Sequence, residues 1–196
     1  MKFKPLEPSG MVLIELVVHR DTRGFFVERF QFEQFKEHGL PTVFAQDNHT
    51  HSLPGVLRGL HFQYKSPQGK LIGVIRGRIW DVAVDLRQTS PTFGKVSQIE
   101  LSAENGRMLW IPPGFCHGFC VLGTESADVI YKVDSPYNPA GESGIHWADP
   151  ELAISWPIHD PLVSTRDQQL GSFAEYRQSP VDWEIESHCK EAQRDN

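Results

Sequence analysis

Apolar and polar residues alternate over short distances along this chain, and Gly and Pro interrupt the pattern every few residues. Residues 11–19 form a β-branched, apolar run ended by Arg20-Asp21-Thr22-Arg23-Gly24, which predicts a strand followed by a loop. Residues 30–38, closed by Gly39 and Pro41, predict an early helix. Strand-like runs then follow at 71–76, 79–86, 96–101, 108–111, 118–122 and 127–133. Gly77-Arg78, Ser90-Pro91, Glu104-Asn105-Gly106 and Pro112-Pro113-Gly114 separate most of them. Short strands at this spacing predict an all-β sandwich or barrel. Within Trp80-Asp81-Val82-Ala83-Val84-Asp85-Leu86 the large apolar residues alternate with Asp81, Ala83 and Asp85. One face is therefore apolar and the other carries acids, as expected where a barrel lumen or cleft is polar. Beyond Trp156-Pro157 the pattern is irregular, with one short helix expected within 167–176.

Composition narrows the class. A length of 196 residues, 39% hydrophobic and 22% charged, suits one globular core, and no repeat, low-complexity tract or linker divides it. We expect a single domain over 1–186 and a polar, fraying tail over 187–196. The formal net charge of -6 argues against general nucleic-acid binding, so any anionic ligand must meet a local basic cluster. No apolar run reaches the length of a membrane span and the N-terminus lacks a secretory apolar stretch, so no membrane association and a cytoplasmic location are expected. Cys116, Cys120 and Cys189 are an odd set, which disfavours a disulfide framework. Strand alternation would put Cys116 and Cys120 on one face and His117 on the other, against a shared metal.

The densest chemistry is Gln46-Asp47-Asn48-His49-Thr50-His51 followed by Gly55-Val56-Leu57-Arg58-Gly59-Leu60-His61-Phe62-Gln63. A metal-binding cupin would carry His-x-His at the second segment and an acid shortly after. This chain has His61 but Gln63, and no acid from Phe62 to Trp80, so no metal is expected. The second cupin signature survives in part as Gly106, Pro112-x-Gly114 and His117. An imidazole released from metal ligation suits proton abstraction near neutral pH, which makes His61 the leading base; alone, it would equally read as a core histidine bonded to backbone. Arg23, Arg58, Lys70 and Arg166 each read as solvated surface cations when taken singly. Gathered around His61, they would hold a diphosphate and polarise a ketone oxygen.

These residues resemble the dTDP-4-dehydrorhamnose 3,5-epimerases, over roughly 12–167. The matching phrases are Asp21-x-Arg23-Gly24-Phe25-Phe26-x-Glu28, Gln46-Asp47-Asn48-His49, Val56-Leu57-Arg58-Gly59-Leu60-His61-Phe62-Gln63 and Gln68-Gly69-Lys70. Asp81-Val82-Ala83-Val84-Asp85-Leu86-Arg87, Ser90-Pro91-Thr92-Phe93-Gly94, Leu109-Trp110-Ile111-Pro112-x-Gly114-Phe115-x-His117-Gly118-Phe119 and Tyr131-Lys132 follow in order.

The resemblance implies an all-β, cupin-type double-stranded β-helix (jelly-roll) barrel with a few short helices. It also implies a metal-independent epimerase of L-rhamnose biosynthesis that needs no cofactor and inverts carbons 3 and 5 of dTDP-4-dehydro-6-deoxy-D-glucose. Carried over by position, His61 is the base, Tyr131 the proton donor, Asp167 the carboxylate that pairs with the base, and Lys70 the cation at the enolate oxygen. Arg23, Glu28, Gln46, Asp47, Asn48, Arg58, His117, Glu142 and Arg166 are implied in substrate binding, with Phe26 and Tyr137 as aromatic faces for the thymine ring. A homodimer is implied too, with N-terminal strands passing to the partner's sheet, so that Arg23, Phe26 and Glu28 serve the neighbouring site. His51 stands where the family usually has Arg or Lys, which puts one diphosphate contact in question. The alternatives are an epimerase acting at one carbon of a related sugar, a non-catalytic cupin that binds nucleotide sugars, and a metal-dependent cupin oxygenase.

Overall fold

A computed structural model describes residues 1–184. The elements in chain order are β1 (Lys2–Leu6), β2 (Met11–Glu15), β3 (Val18–Asp21), β4 (Gly24–Val27), α1 (Phe32–Glu37), β5 (Gln46–Ser52), β6 (Leu57–Gln63), β7 (Lys70–Arg76) and β8 (Arg78–Asp85). There follow β9 (Val96–Ser102), β10 (Arg107–Ile111), β11 (Phe115–Val121), β12 (Ala127–Val133), a 3-10 turn (Pro139–Gly141), β13 (Glu142–Gly144), α2 (Thr165–Gln168) and α3 (Phe173–Gln178). Two antiparallel sheets carry the fold. One runs β1-β2-β10-β7-β12-β5 and the other β13-β6-β11-β8-β9, while β3 and β4 form a separate hairpin. This is the jelly roll that the strand spacing and the resemblance predict. No helix among the described residues is long and apolar enough to cross a membrane.

Alternation along the strands sorts side chains into three layers. Between the sheets, Met11, Leu13, Ile72, Val74, Ile79, Leu101, Leu109, Ile111, Phe115, Phe119 and Val129 fill one end of the lumen. Each fully buried aliphatic side chain here contributes about 1.5–3 kcal/mol. Outside the five-stranded sheet, Leu60, Phe62, Val82, Val84, Leu86 and Cys116 pack beneath Ile145, Leu152, Phe173 and Tyr176. Outside the six-stranded sheet, α1 lays Phe35 over Ile14, Leu71, Met108 and Trp110. The apolar face of residues 80–86 thus faces outward under the C-terminal segment, and its acids face the lumen. Cys116 lies in the outer layer while His117 faces the lumen, as alternation requires.

Three local expectations need correction. The run at 11–19 is not one strand: β2 ends at Glu15, Leu16 N–H bonds to Gly106 O at 2.8 Å, and the chain leaves the sheet to form the β3-β4 hairpin. The strand expected at 118–122 begins at Phe115, because Phe115 and Cys116 pair with Asp85 and Val84 of β8. The helix expected within 167–176 is two helices, α2 and α3, parted where Gly171 bridges to Ile145. The tail from Ser187 lies outside the described residues.

Candidate active site

At the end of the lumen that the apolar core leaves open is a cavity of about 300 Å³, lined by Arg58, His61, Lys70, His117, Tyr131, Arg166 and Asp167 among others. Strand register explains the gathering. His61 on β6 is directly opposite His117 on β11, so both imidazoles leave the same face of the five-stranded sheet. Tyr131 on β12 is opposite Ile72 of β7 and Asn48 of β5 on the facing sheet, and Lys70 begins β7 opposite Val133. The two histidines and Tyr131 therefore approach the cavity from opposite walls.

Two imidazole–carboxylate pairs define one wall. His61 Nε2 is 2.6 Å from Asp167 Oδ1, and the other Asp167 oxygen accepts the Gly59 N–H at 3.1 Å. Ser164 caps α2 by accepting the Asp167 N–H, which fixes the carboxylate's helix against β6. Desolvation pushes the Asp167 carboxyl upward, but the bonds from His61 and Gly59 outweigh it and hold it below the usual range. Gly59 has to be glycine: its φ is +121°, and a Cβ there would fall 2.6 Å from Gly118 Cα. The second pair is His117 Nε2 to Asp81 Oδ2 at 2.9 Å, with Asp81 wholly buried and its Oδ1 without a hydrogen bond among the described residues.

The opposite wall and the mouth hold the cations. The Lys70 ammonium makes no hydrogen bond or ion pair with a described residue. Burial depresses its ammonium pKa, only partly opposed by Cys116, Glu142 and Asp81. Burial likewise raises the Tyr131 phenol, which keeps it protonated. Arg58 is braced by Nε to Ser52 Oγ at 2.9 Å and Nη2 to His51 O at 3.4 Å. At the rim, Glu142 takes Arg166 at 2.8 Å and the Tyr137 hydroxyl at 2.5 Å. Gln46 accepts the Tyr137 N–H at 3.1 Å and donates to Asn48 at 2.7 Å.

Arrangements of this kind can move protons. A carboxylate-paired imidazole faces a protonated phenol across a space that also presents an unpaired ammonium.

The chain matches the family described as dTDP-4-dehydrorhamnose 3,5-epimerase over residues 5–175. The chain belongs to the dTDP-4-dehydrorhamnose 3,5-epimerase family. It is an enzyme of the epimerase type. It is similar to the Pseudomonas aeruginosa dTDP-4-dehydrorhamnose 3,5-epimerase, 49% identical over 89% of this chain and 97% of that one. Similarity to the Neisseria gonorrhoeae protein of the same name is 48% over 86% of this chain, which spans 52% of that longer relative. Among solved structures, the dTDP-6-deoxy-D-glucose-3,5-epimerase of Legionella pneumophila, in complex with dTDP-4-keto-L-rhamnose, superposes with a TM-score of 0.83 at 43% identity. That likeness covers 87% of this chain and 92% of the other.

Within this family fold, the residues expected at the site divide into three groups. His61, Lys70, Tyr131, Asp167, Arg58, His117 and Arg166 line one cavity, and Glu142, Tyr137, Gln46 and Asn48 continue from it to the rim. Arg23, Phe26 and Glu28 lie on or just after the β3-β4 hairpin and do not line the cavity of their own chain. Asp47 does not line the cavity of its own chain either. Alternation turns its side chain to the outer face of β5, where it pairs with Lys132 at 2.6 Å. His51 also points outward, its Nδ1 3.0 Å from Asp128, so its replacement of a basic residue removes no cation from this cavity. Asp81, Ser52 and Ser164 support the site and were not anticipated; only Asp81, on the acid face of residues 80–86, carried a visible signal.

The Gln63 side chain is also accounted for. It donates to the carbonyls of Ser66 and Pro136 at 2.5 and 3.1 Å and accepts the Asn138 N–H at 2.9 Å. The position where a metal-binding cupin would offer a ligand here fastens the loop leading to Tyr137 and Glu142.

Proposed function

We propose that this chain inverts carbons 3 and 5 of dTDP-4-dehydro-6-deoxy-D-glucose, giving dTDP-4-dehydro-L-rhamnose, with His61, Lys70, Tyr131 and Asp167 as its catalytic residues. The observation that carries the reading is the placement of His61 and Tyr131 on facing sheets around one cavity. Hydrogens next to a ketone are acidic because the carbanion is an enolate. His61 takes one of them on one ring face, and Asp167 stabilises the imidazolium that results. Lys70 balances the charge on the carbon-4 oxygen. The Tyr131 phenol, kept neutral by burial, returns a proton to the opposite face, and the carbon is inverted. The ketone is itself the electron sink, so the scheme needs neither metal nor redox cofactor.

The cavity is at the lower edge of the roughly 300–1,000 Å³ of small-molecule sites. It suits the sugar ring, with the diphosphate at Arg58 and Arg166 and the base at Tyr137. Incubation with the 4-keto sugar nucleotide in deuterated water tests this: label is expected at both carbons of the product. Label at one carbon only would sink the double epimerisation. The single-carbon reading is not favoured, because the similar proteins named above are 3,5-epimerases.

A homodimer completes the proposal. Among the described residues β5 is an edge strand paired only with β12, and the β3-β4 hairpin pairs only with itself, with Phe25 and Phe26 63% and 65% exposed. Unpaired edges and exposed aromatics favour strand addition to a second copy. Arg23, Phe26 and Glu28 would then reach the neighbouring cavity. Light scattering is expected to give twice the chain mass at micromolar concentration; a fully active monomer would refute this. Work in the cytoplasm fits the free, buried thiols of Cys116 and Cys120, both pushed up to about 12 by burial.

A further inference from the structure

The cavity wall holds one polar group with no role so far. Thr50 is on β5, opposite Val129 of β12 and one place along the same lumen face from the pair formed by Asn48 and Tyr131. Its side chain lines the cavity, and its Oγ1, shielded in the empty protein, has no hydrogen-bond partner among the described residues. Arg58, which also lines the cavity, does not satisfy it, since that guanidinium is braced on Ser52 and the His51 carbonyl. A buried hydroxyl left unpaired is unfavourable, and valine would occupy the same β-branched volume on a strand without the penalty. A threonine in that position calls for a partner that arrives with the ligand.

We propose that Thr50 is a sugar-contacting residue, whose hydroxyl, turned into the cavity by rotation about Cα–Cβ, hydrogen-bonds the bound 4-keto sugar and holds the ring against the wall that carries Tyr131. This rests on the epimerase reading above and adds a residue to it. The consequence is specific to the second half of the reaction. After His61 has taken a proton, the enolate has two fates. A proton returned by His61, after exchange with solvent, restores the original configuration with label. A proton returned by Tyr131 inverts the carbon. A contact that holds the ring near Tyr131 governs this partition more than it governs the first proton removal.

Thr50→Val and Thr50→Ser, assayed with dTDP-4-keto-6-deoxyglucose in deuterated water, separate the possibilities. Deuterium in recovered substrate reports exchange, and deuterated product reports inversion. One neutral hydrogen bond lost corresponds to about a five- to tenfold effect. Thr50→Val is therefore expected to slow inversion by about that factor while exchange stays within about twofold, and Thr50→Ser to restore the wild-type partition. Wild-type rates of both processes in Thr50→Val overturn the proposal. So does an equal loss in Thr50→Ser, which would make packing the cause, and so does a lowered melting temperature with both rates reduced together. A wild-type enzyme that neither exchanges nor inverts overturns the epimerase reading itself, a result distinct from all of these.

Discussion

Replacing Asp167 by Asn preserves the volume of the side chain and removes one charge, so it isolates what the carboxylate does for His61. The bond at stake is 2.6 Å long, and the Asp167 side chain is only 5% exposed, so little solvent screens it. Hydrogen bonds to charged groups contribute about 1.5–3 kcal/mol against 0.5–1.5 for neutral ones. The difference, about 1–1.5 kcal/mol, is stabilisation that the imidazolium formed in the reaction would lose. A second effect adds to it. The backbone N–H of Gly59 already points at the carboxylate, and an asparagine has only one oxygen to answer it. That oxygen turns to Gly59, because two donors facing each other in a buried site would cost about 1–3 kcal/mol. The amide NH₂ then faces His61 Nε2, and the ring must carry its own proton on Nδ1, the nitrogen left to act on substrate.

A base in the wrong tautomer forfeits most of the roughly 10²–10⁴-fold that general-base catalysis provides. We expect kcat to fall about 10³-fold. KM should change little, since both carboxylate oxygens are engaged by protein donors. Proton NMR of substrate in deuterated water, following loss of the signals at carbons 3 and 5, measures both parameters. A kcat within a factor of a few of wild type, in a variant that folds, would refute the role of the pair. Stability supplies a cross-check. The Asp167 carboxyl is held below its unfolded value, so its contribution is present above about pH 3.9 and is lost as pH falls through the folded pKa. The stability gap between wild type and Asp167→Asn should narrow under acid, and a gap constant down to strong acid would contradict the assignment.

Lys70→Met removes a partly buried ammonium that forms no ion pair with a described residue. It is expected to cost at least about 10² in kcat while the melting temperature at neutral pH stays equal or rises, as calorimetry would show. Because the folded Lys70 pKa lies below the unfolded one, the unfolded chain binds more protons in that interval. Stability therefore rises with pH there, and wild-type activity should decline at a lower pH than an ordinary lysine would dictate. Tyr131→Phe should abolish inversion but leave deuterium exchange within about tenfold of wild type, because the base is on the other wall; loss of both would move the phenol's role to the first step. Gln63→Glu deletes two donated bonds and sets a carboxylate against two carbonyls, a cost of about 2–3 kcal/mol, read as a melting temperature lower by roughly 5–10 °C. Metal analysis of that variant should find no tightly bound ion, and a stoichiometric one would revive the metal-cupin reading.

Much of the strand framework was legible because a buried sheet face writes period-two alternation into the sequence. That is why the acid face of residues 80–86 could be assigned to the lumen and His117 separated from Cys116. The same rule divides the segment at 46–48. Gln46, Asp47 and Asn48 are consecutive on a strand and cannot all face one cavity; parity selects Gln46 and Asn48, and it selects Thr50 with them. Other features had no local signature. The exit of the chain at Leu16 depends on a bond to Gly106, ninety residues away, and the break at Gly171 depends on Ile145. The pairing of His61 with Asp167 spans 106 residues and was supplied by family resemblance; neither spacing nor composition encodes it.

The electrostatics of the cavity follow from how its acids are committed. The chain carries a net charge of -6, yet the carboxylates here are each engaged: Asp167 with His61, Asp81 with His117, and Glu142 with Arg166 and Tyr137. The Lys70 ammonium forms no ion pair with a described residue, and Thr50 Oγ1 has no hydrogen bond to one, in the lining of the same cavity. Such groups reduce the stability of the empty protein and become favourable when a ligand brings a carbonyl oxygen and phosphates. In the proposed reaction this also explains how one acid and one base serve two carbons. Carbons 3 and 5 flank the same carbonyl, so a ring pivoting about an oxygen held at Lys70 presents each in turn to the gap between His61 and Tyr131. The choice between one inversion and two then depends on how freely the ring turns about that contact. Residues on the Tyr131 wall, Thr50 foremost, are where restricting the turn should convert a double epimerase into a single one.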